Sequence, residues 1–544
     1  MKYLTLLFLS LGLAAGQADE YIKAPAPAAD ENSGHAIAMG PELLVIGAPG
    51  SDEDTGRVDI YRKISGQWVF EDSLFASDKD YSARFGAAAA ISGDTIVIGS
   101  PFRAHPDDPS FFADPAGAAY VFKLESGSWV EQQRLSGSNT GSSDNFGYSV
   151  AIEGDTIVIG ARWEQGAEDR MLDSGAAYVF SRNGNIWAEE AYLKASNAGE
   201  LDEFGTAVAI SAGTVAVSAP FEDGNGAESG AVYLFDKQTG GWTERQILRA
   251  ADASPGDFFG CSLAMDSERI AIGARGEDDV ANASGAVYLF RKSSSGWLQE
   301  TRLKSVMPVA TAEMGTTVSL SAARLIAGAP KDPTGGNNSG SATRFRLASG
   351  TWGEPVRMTA ANQGPGDNYG SAVSIQGLDL AVGAESEDGA DNLISASGAA
   401  YLSMLSPKSF REWSIAENLS GDLAGQDADP DLDGVPNLIE YANHMLSSPL
   451  PASTFSYTGS GGLFTFSRPS EFPSDLVLIV EQSTNLREWD EIARLRQGNW
   501  TGNSAQNILE NTHGEIISAT VQPDDRPPLE PRLFLRSSIE LTAD

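Results

Sequence analysis

One cysteine, Cys261, stands in 544 residues, so the chain forms no internal disulfide and its stability must come from the core, with bound metal as an open addition. Histidine is almost as scarce. The four copies, His35, His105, His444 and His513, are too scattered to suggest a Ser-His-Asp system or a histidine metal site. Cations are few: 37 Lys and Arg face 74 Asp and Glu, a formal charge of −37. That balance argues against binding nucleic acid or anionic lipid by bulk electrostatics. Long apolar runs are missing after the first residues, so no transmembrane segment is expected. The exception is the start, "MKYLTLLFLSLGLAAGQADE". Lys2 precedes an apolar stretch from Leu4 to Ala15, and Gly16-Gln17-Ala18 is a small-x-small cleavage signal. This reads as a signal peptide over 1–18 with a mature start at Asp19; an uncleaved anchor is the alternative.

Glycine is abundant at 58 residues, and much of it recurs in one phrase. "SGHAIAMGPELLVIGA" begins at Ser33, "FGAAAAISGDTIVIGS" at Phe85 and "FGYSVAIEGDTIVIGA" at Phe146. "FGTAVAISAGTVAVSA", "FGCSLAMDSERIAIGA", "MGTTVSLSAARLIAGA" and "YGSAVSIQGLDLAVGA" follow from Phe204, Phe259, Met314 and Tyr369. The marker glycines are Gly34, Gly86, Gly147, Gly205, Gly260, Gly315 and Gly370, with gaps of 52, 61, 58, 55, 55 and 55. A period of this length means one supersecondary unit per repeat, too small to bury its own faces. Within 146–196, "YSVAI", "TIVIGA", "SGAAYVF" and "AEEAYLKA" are four short strands; the second is nearly continuous in apolar residues, as a strand buried on both faces should be. Four strands, seven times, predict a seven-bladed β-propeller. The last unit stops after "SGAAYLSML" without a fourth strand. "EYIKAPAPAADENSG" (20–34) aligns with "AYLKASNAGELDEFG" (191–205), so Tyr21–Ala24 is expected to complete that blade and close the ring.

These phrases resemble FG-GAP repeats, as found in the propeller of integrin alpha subunits and in many exported bacterial proteins. "IGAP" is intact at 46–49, relaxed to "IGSP", "VSAP" and "AGAP" at 98–101, 217–220 and 327–330, and changed to "IGAR" at 159–162 and 272–275. The resemblance spans roughly 20–405 and implies a module for adhesion or ligand binding. Calcium-binding repeats of that family carry D-x-D-x-D-G. The acidic loops "GSDEDTGR", "FEDGNGAESG", "RGEDDVANASG" and "ESEDGADNLISASG" lack this spacing. Their carboxylates either face water or bind calcium in another way.

After Leu405 the repeats end. "PKSFREWSIAENLSGDLAGQ" reads as a helix with Phe410 and Trp413 on one face. In "DPDLDGVPNLIEY", Asp429, Asp431 and Asp433 hold loop positions one, three and five, Gly434 six, Asn437 nine and Glu440 twelve, with Val435 offering its carbonyl. That is the ligand spacing of an EF-hand calcium loop. Pro436 removes the N–H that a paired hand needs, so a lone Ca2+ loop is expected. It is similar to dockerin repeats and to thrombospondin type 3 loops, which implies a stiffened linker. Residues 452–544 alternate in short runs between turn signals, as a small β-sandwich does.

The reading is an all-β chain: signal peptide 1–18, propeller 19–405, helix–calcium loop–helix linker 406–450 and C-terminal β-sandwich 451–544. No catalytic constellation stands out. An exported, monomeric adhesion or ligand-binding module is expected, with an extracellular protein or glycan as partner and Ca2+ as the only cofactor. The alternatives are a structural spacer and a secreted polysaccharide-active enzyme using acid pairs such as Asp278–Asp279 or Glu387–Asp388. Arg162 and Arg275, standing where "GAP" has proline, either line one mouth of the propeller or pair with nearby acids. Cys261 is expected to be a buried small residue.

Overall fold

The computed structural model describes residues 20–404 apart from 65–66, 105–114, 167–170, 349 and 390–393; after 404 it describes eight strands. Residues 19–403 form one unit, built from seven four-stranded antiparallel sheets. In the third blade the strands are Phe146–Glu153, Thr156–Ala161, Ala176–Asn183 and Ile186–Leu193, hydrogen-bonded in sequence order. The first six blades span 36–74, 88–135, 146–193, 208–248, 259–303 and 317–358. The seventh comprises 369–376, 379–384 and 399–404, and its outer strand comes from the start of the chain. Glu20 pairs with Leu402, Tyr21 with Tyr401 and Ile22 with Ala400.

The second strand of each blade is its core. All six residues of Leu43–Ala48, Thr95–Ser100 and Arg269–Ala274 are buried, because adjacent blades cover both faces of the sheet. Burying a Val or Ile side chain stabilises by roughly 1.5–3 kcal/mol, so these strands dominate the packing. One hydrophobic cluster joins Val45, Val58 and Ile60 of the first blade to Phe85, Ile98 and Tyr120 of the second. The aromatic of each "FG" sits in such a cluster. Phe146 meets Tyr178 and Phe180 edge-on at 5.2 and 6.1 Å, and Phe204 meets Tyr233 and Phe235 at 5.4 and 6.1 Å.

The two glycines of the repeated phrase explain its recurrence. The "GA" glycine of one blade backs onto the "FG" glycine of the next. A Cβ on Gly47 would lie 2.1 Å from the carbonyl oxygen of Gly86, and one on Gly160 would lie 2.0 Å from that of Gly205. Only glycine permits this approach, and it recurs around the ring. The fourth blade departs from it: Ser218 replaces the glycine, and its hydroxyl accepts from the Ala207 amide at 2.9 Å.

The described residues after 404 form two four-stranded antiparallel sheets. One is ordered 456–458, 463–469, 516–521, 508–513; the other is ordered 499–501, 490–496, 476–483, 534–541. The expected helix, calcium loop and linker lie outside the described residues. Among the described residues the chain makes a left-handed turn at Ser51–Asp54, where Asp52, Glu53 and Asp54 have φ of 53, 58 and 62°, and no helix is long and apolar enough to cross a membrane.

Candidate ligand-binding mouth of the propeller

In an antiparallel blade, the loop into the first strand and the loop after the second lie at the same end of the ring. The register fixes this at the channel: Phe146 faces Ala161, Phe259 faces Ala274 and Tyr369 faces Ala384. The residue before each "FG" therefore adjoins the residue after each "GA", and together they rim one mouth.

The rim is held rigidly. The residue before "FG" is left-handed in all seven blades: Asn32, Arg84, Asn145, Glu203, Phe258, Glu313 and Asn368 have φ between 52 and 57°. Such a conformation costs a non-glycine residue of order 1 kcal/mol or more and persists only where its surroundings impose it. Here the preceding blade does so. The amide of Glu203 donates to the Asp173 carbonyl, that of Phe258 to Glu228 and that of Glu313 to Ala283, and each acceptor residue is itself left-handed.

The acids of the loops after the second strands serve two purposes. The third residue after each "GA" in five blades is Glu164, Glu222, Glu277, Asp332 or Glu387, and all five are buried. Each pairs with a cation from its own blade's outer strand. Lys194 reaches Glu164 at 2.6 Å, Arg249 reaches Glu222 at 2.5 Å and Arg357 reaches Asp332 at 2.8 Å. Lys304 and Arg302 hold Glu277, and Lys23 holds Glu387. The preceding blade adds an amide: Asn139 donates to Glu164, Asn197 to Glu222 and Asn362 to Glu387 at 2.6–2.9 Å. Buried carboxylates need such partners, and these networks lock blade to blade. Of the other acids in these loops, Asp279 is engaged by Lys304 and Arg302, which hold its carboxyl down at about 2.

A second set of aspartates closes the loops into the first strands. Asp144, Asp202, Asp257 and Asp367 accept the amides of Gly141, Gly199, Ser254 and Gly364 at 2.6–2.7 Å. Burial raises Asp202 and Asp257 above the usual range. Burial, with the nearby charges of Glu387 and Asp388, pushes Asp367 up to about 6 against the pull of the Gly364 amide and Lys23.

At the rim itself the chemistry changes. The guanidinium of Arg162 lies 3.8 Å from the centre of the Tyr148 ring and 4.5 Å from that of Trp163. Arg275 lies 5.1 Å from Phe258, which packs edge-on against Phe221 at 5.3 Å, and Arg84 lies 5.1 Å from Phe102. These are cation–π distances. The open alternative for Arg162 resolves both ways: it lines the mouth and sits 3.6 Å from Glu203 of the next blade. Arg275 and Arg84 make no ion pair among the described residues. His35 Nδ1 and Glu385 Oε2 are 2.5 Å apart, and this contact, with the nearby charge of Arg84, holds the Glu385 carboxyl below its usual range despite its burial. Cys261 is half-buried rather than buried, and its thiol donates to the Gly315 carbonyl at 3.2 Å.

Five stretches of the chain, 68–122, 129–180, 187–235, 242–290 and 352–403, match the FG-GAP repeat family. These five stretches are FG-GAP repeats. Each matched stretch starts on the outer strand of one blade and ends on the third strand of the next, as 68–122 runs from Trp68 to Phe122. Each FG-GAP stretch thus carries the two glycine positions of one blade, which meet different neighbours: Gly147 lies against Gly99 of the blade before and Gly160 against Gly205 of the blade after. No curated protein matches the chain.

The sequence-predicted calcium ligands Asp429, Asp431, Asp433, Val435, Asn437 and Glu440 lie outside the described residues, as do His105 and His444. Among the described residues no group of three or more His, Cys, Asp or Glu side chains is arranged to hold a metal ion. Sequence reasoning missed the role of the buried acids. The signal was the Lys or Arg recurring at the end of the outer strands in "YIKA", "YLKA", "ILRA" and "RLKS".

Proposed function

We propose that this chain is an exported, calcium-binding propeller protein that acts as an adhesion or ligand-binding module at the cell surface or in the extracellular matrix. The observation that carries the reading is the mouth. A ring of imposed left-handed residues presents arginine–aromatic pairs at one end of a rigid scaffold, and two of those arginines, Arg84 and Arg275, make no ion pair within 4 Å among the described residues. Binding groups on loops held by a stiff framework are the usual design of a recognition surface. FG-GAP propellers are typically ligand-binding modules, which agrees with it.

Calcium belongs to the reading through Asp429–Glu440, whose spacing suits a lone loop between the propeller and a C-terminal β-sandwich. Export rests on the apolar leader before Asp19. The enzyme alternative gains no support from its carboxylates, since Glu387 and Asp279 are held in ion pairs.

Two measurements test the proposal. Calorimetric melting of the mature protein with calcium and with EDTA should give two transitions, and EDTA should lower the smaller one. Absence of any shift removes calcium from the reading. An array of glycans and extracellular matrix proteins should yield binders; a blank array together with turnover of a polysaccharide would replace the module with the enzyme.

A further inference from the structure

The six blades with a full-length outer strand can be compared position by position, and one junction breaks the pattern. The fourth residue of the outer strand is Glu131, Glu189, Glu244, Gln299 or Glu354 in five of them, but Phe70 in the first blade. The last residue of the third strand is Glu125, Asn183, Gln238, Ser293 or Ala348, but Ile64 in the first blade. The residue before it is Lys63, Arg182, Lys237 or Lys292 in four blades, Leu347 in the sixth and Leu124 in the second. Polar positions have thus become apolar on both sides of the junction between the first and second blades. Ile64 is 53% exposed and Phe70 42%, so neither is there to fill the core.

Ile64, Phe70 and Leu124 line a cavity of about 430 Å³, together with Val69 and the Arg62–Glu71 ion pair. It lies at the end of the ring away from the mouth, where each third strand turns back into an outer strand. Its polar groups satisfy one another: Arg62 Nε donates to Glu71 at 2.5 Å and the Trp129 indole donates to the same carboxylate at 3.0 Å. The register passes from Tyr61↔Phe70 to Ile60↔Asp72 and leaves Glu71 out, and this bulge sets Phe70 and Glu71 side by side on the cavity wall. Gln67–Leu74 is the outermost strand of its sheet, so its outer edge has no strand partner among the described residues. Charged side chains usually guard such an edge, and Gln67–Phe70 carries none.

We propose that this groove docks an extended peptide with an apolar centre and cationic ends, added as a strand along Gln67–Phe70 with one large side chain in the cavity. Main-chain hydrogen bonds to a sheet edge supply affinity, and a pocket for an alternate side chain supplies selectivity. The charge of the ends follows from the rim. The nearby cations Arg62, Lys63 and Lys123 are already engaged by Glu71, Asp379 and Asp94. Asp72 and Glu125, each next in sequence to a lining residue, are exposed and make no ion pair among the described residues. A second copy of this chain is the poorer fit, because two molecules of formal charge −37 repel each other. The groove lies apart from the mouth, and neither site needs the other.

The test is an array of heptapeptides Lys-Thr-X-X-X-Thr-Lys, probed with the labelled full-length protein at about 0.15 M salt. Peptides with an aromatic or branched aliphatic residue at the central X should bind about tenfold or more above those with Ser or Gly there, the effect of burying one such side chain. Phe70→Glu with Leu124→Lys gives the junction the residue types of the other blades, so melting should be unchanged while binding falls about tenfold. Should that variant melt early, Ile64→Glu, which matches Glu125, replaces a side chain already in water and should still weaken binding several-fold. Asp72→Asn with Glu125→Gln should weaken binding several-fold and flatten its salt dependence. Hydrogen exchange of 67–70 should slow in the complex. An array on which no peptide binds, or on which the Ser and Gly peptides bind equally, overturns the site, and unchanged exchange at 67–70 overturns the added strand. Binding that survives Phe70→Glu with Leu124→Lys moves the peptide to another surface, the mouth included. A parent that sediments as a dimer, with that variant a monomer, would put a second copy in the groove instead.

Discussion

Gly383 of the seventh blade lies against Gly34 at the start of the first: a Cβ at 383 would sit 2.0 Å from the Gly34 carbonyl oxygen. The same contact that joins neighbouring blades thus joins the two ends of the propeller. Gly383→Ala has no room, since the obstacle is backbone and cannot rotate away. The expected cost is about 2–3 kcal/mol, read as a lower midpoint in denaturant. Because Gly383 sits at the closure, protection of 20–24 against hydrogen exchange should fall further than that of the third blade. Equal loss in both would mean that closure is no weaker than any other junction.

How much of this was legible beforehand depends on the distance over which each signal acts. The seven blades and their four strands follow from local patterns: a buried second strand, a tight hairpin and two glycines at a fixed spacing. The pairing of Glu164 with Lys194 joins residues on different strands, and in sequence Glu164 looks like one more acid in an acidic loop. Only the recurrence of a cation at the end of the outer strand distinguishes the paired acids from the solvated ones. The two readings of Arg162 could not be separated, because its neighbours Tyr148 and Glu203 come together only when the third and fourth blades meet. The calcium spacing at Asp429–Glu440 was the sharpest motif, and it falls outside the described residues.

Lys23 should matter more than its place near the start of the chain suggests. It pairs with Glu387, whose side chain is 1% exposed, and donates to the Ser397 hydroxyl at 2.5 Å. Tyr21 adds a hydroxyl to the same carboxylate at 3.0 Å. Removing the cation leaves a buried charge with only the neutral Tyr21 hydroxyl and Asn362 amide to donate to it. Lys23→Met is expected to cost about 3–5 kcal/mol in chemical denaturation. Pairing it with Glu387→Gln should recover a large part, since the uncompensated charge is gone. Full additivity of the two single effects would show that the residues do not act as a pair.

Asp367 gives the fold a pH dependence of defined sign. Its carboxyl is 4% exposed and titrates at about 6, above the roughly 3.9 of an unfolded aspartate. The folded state then holds the proton more tightly than the unfolded one. This group's contribution is most favourable below about pH 4 and is lost as pH rises through 6. Asp78, Asp332 and Glu385 are shifted the other way and weaken the protein in acid, so the comparison must be between variants. Asp367→Asn loses the carboxylate but not the shape. The difference in stability between parent and variant should move in the variant's favour from pH 4 to pH 7 and stay level above that. A difference independent of pH would place the Asp367 pKa near its unfolded value.

Glu440 tests the calcium loop without reference to the propeller. Position twelve is the one residue in this spacing that closes the shell with both carboxylate oxygens. Glu440→Gln keeps the size and removes a charge and one good ligand oxygen. The variant should lose at least tenfold in calcium affinity by titration calorimetry, and its smaller melting transition should no longer respond to EDTA. The large transition should be unchanged, because the buried acids of the blades are satisfied by Lys and Arg rather than by an ion. If the large transition also depends on calcium, and still does so in Glu440→Gln, then the outward acids of the blade loops bind the ion and the lone-loop assignment fails.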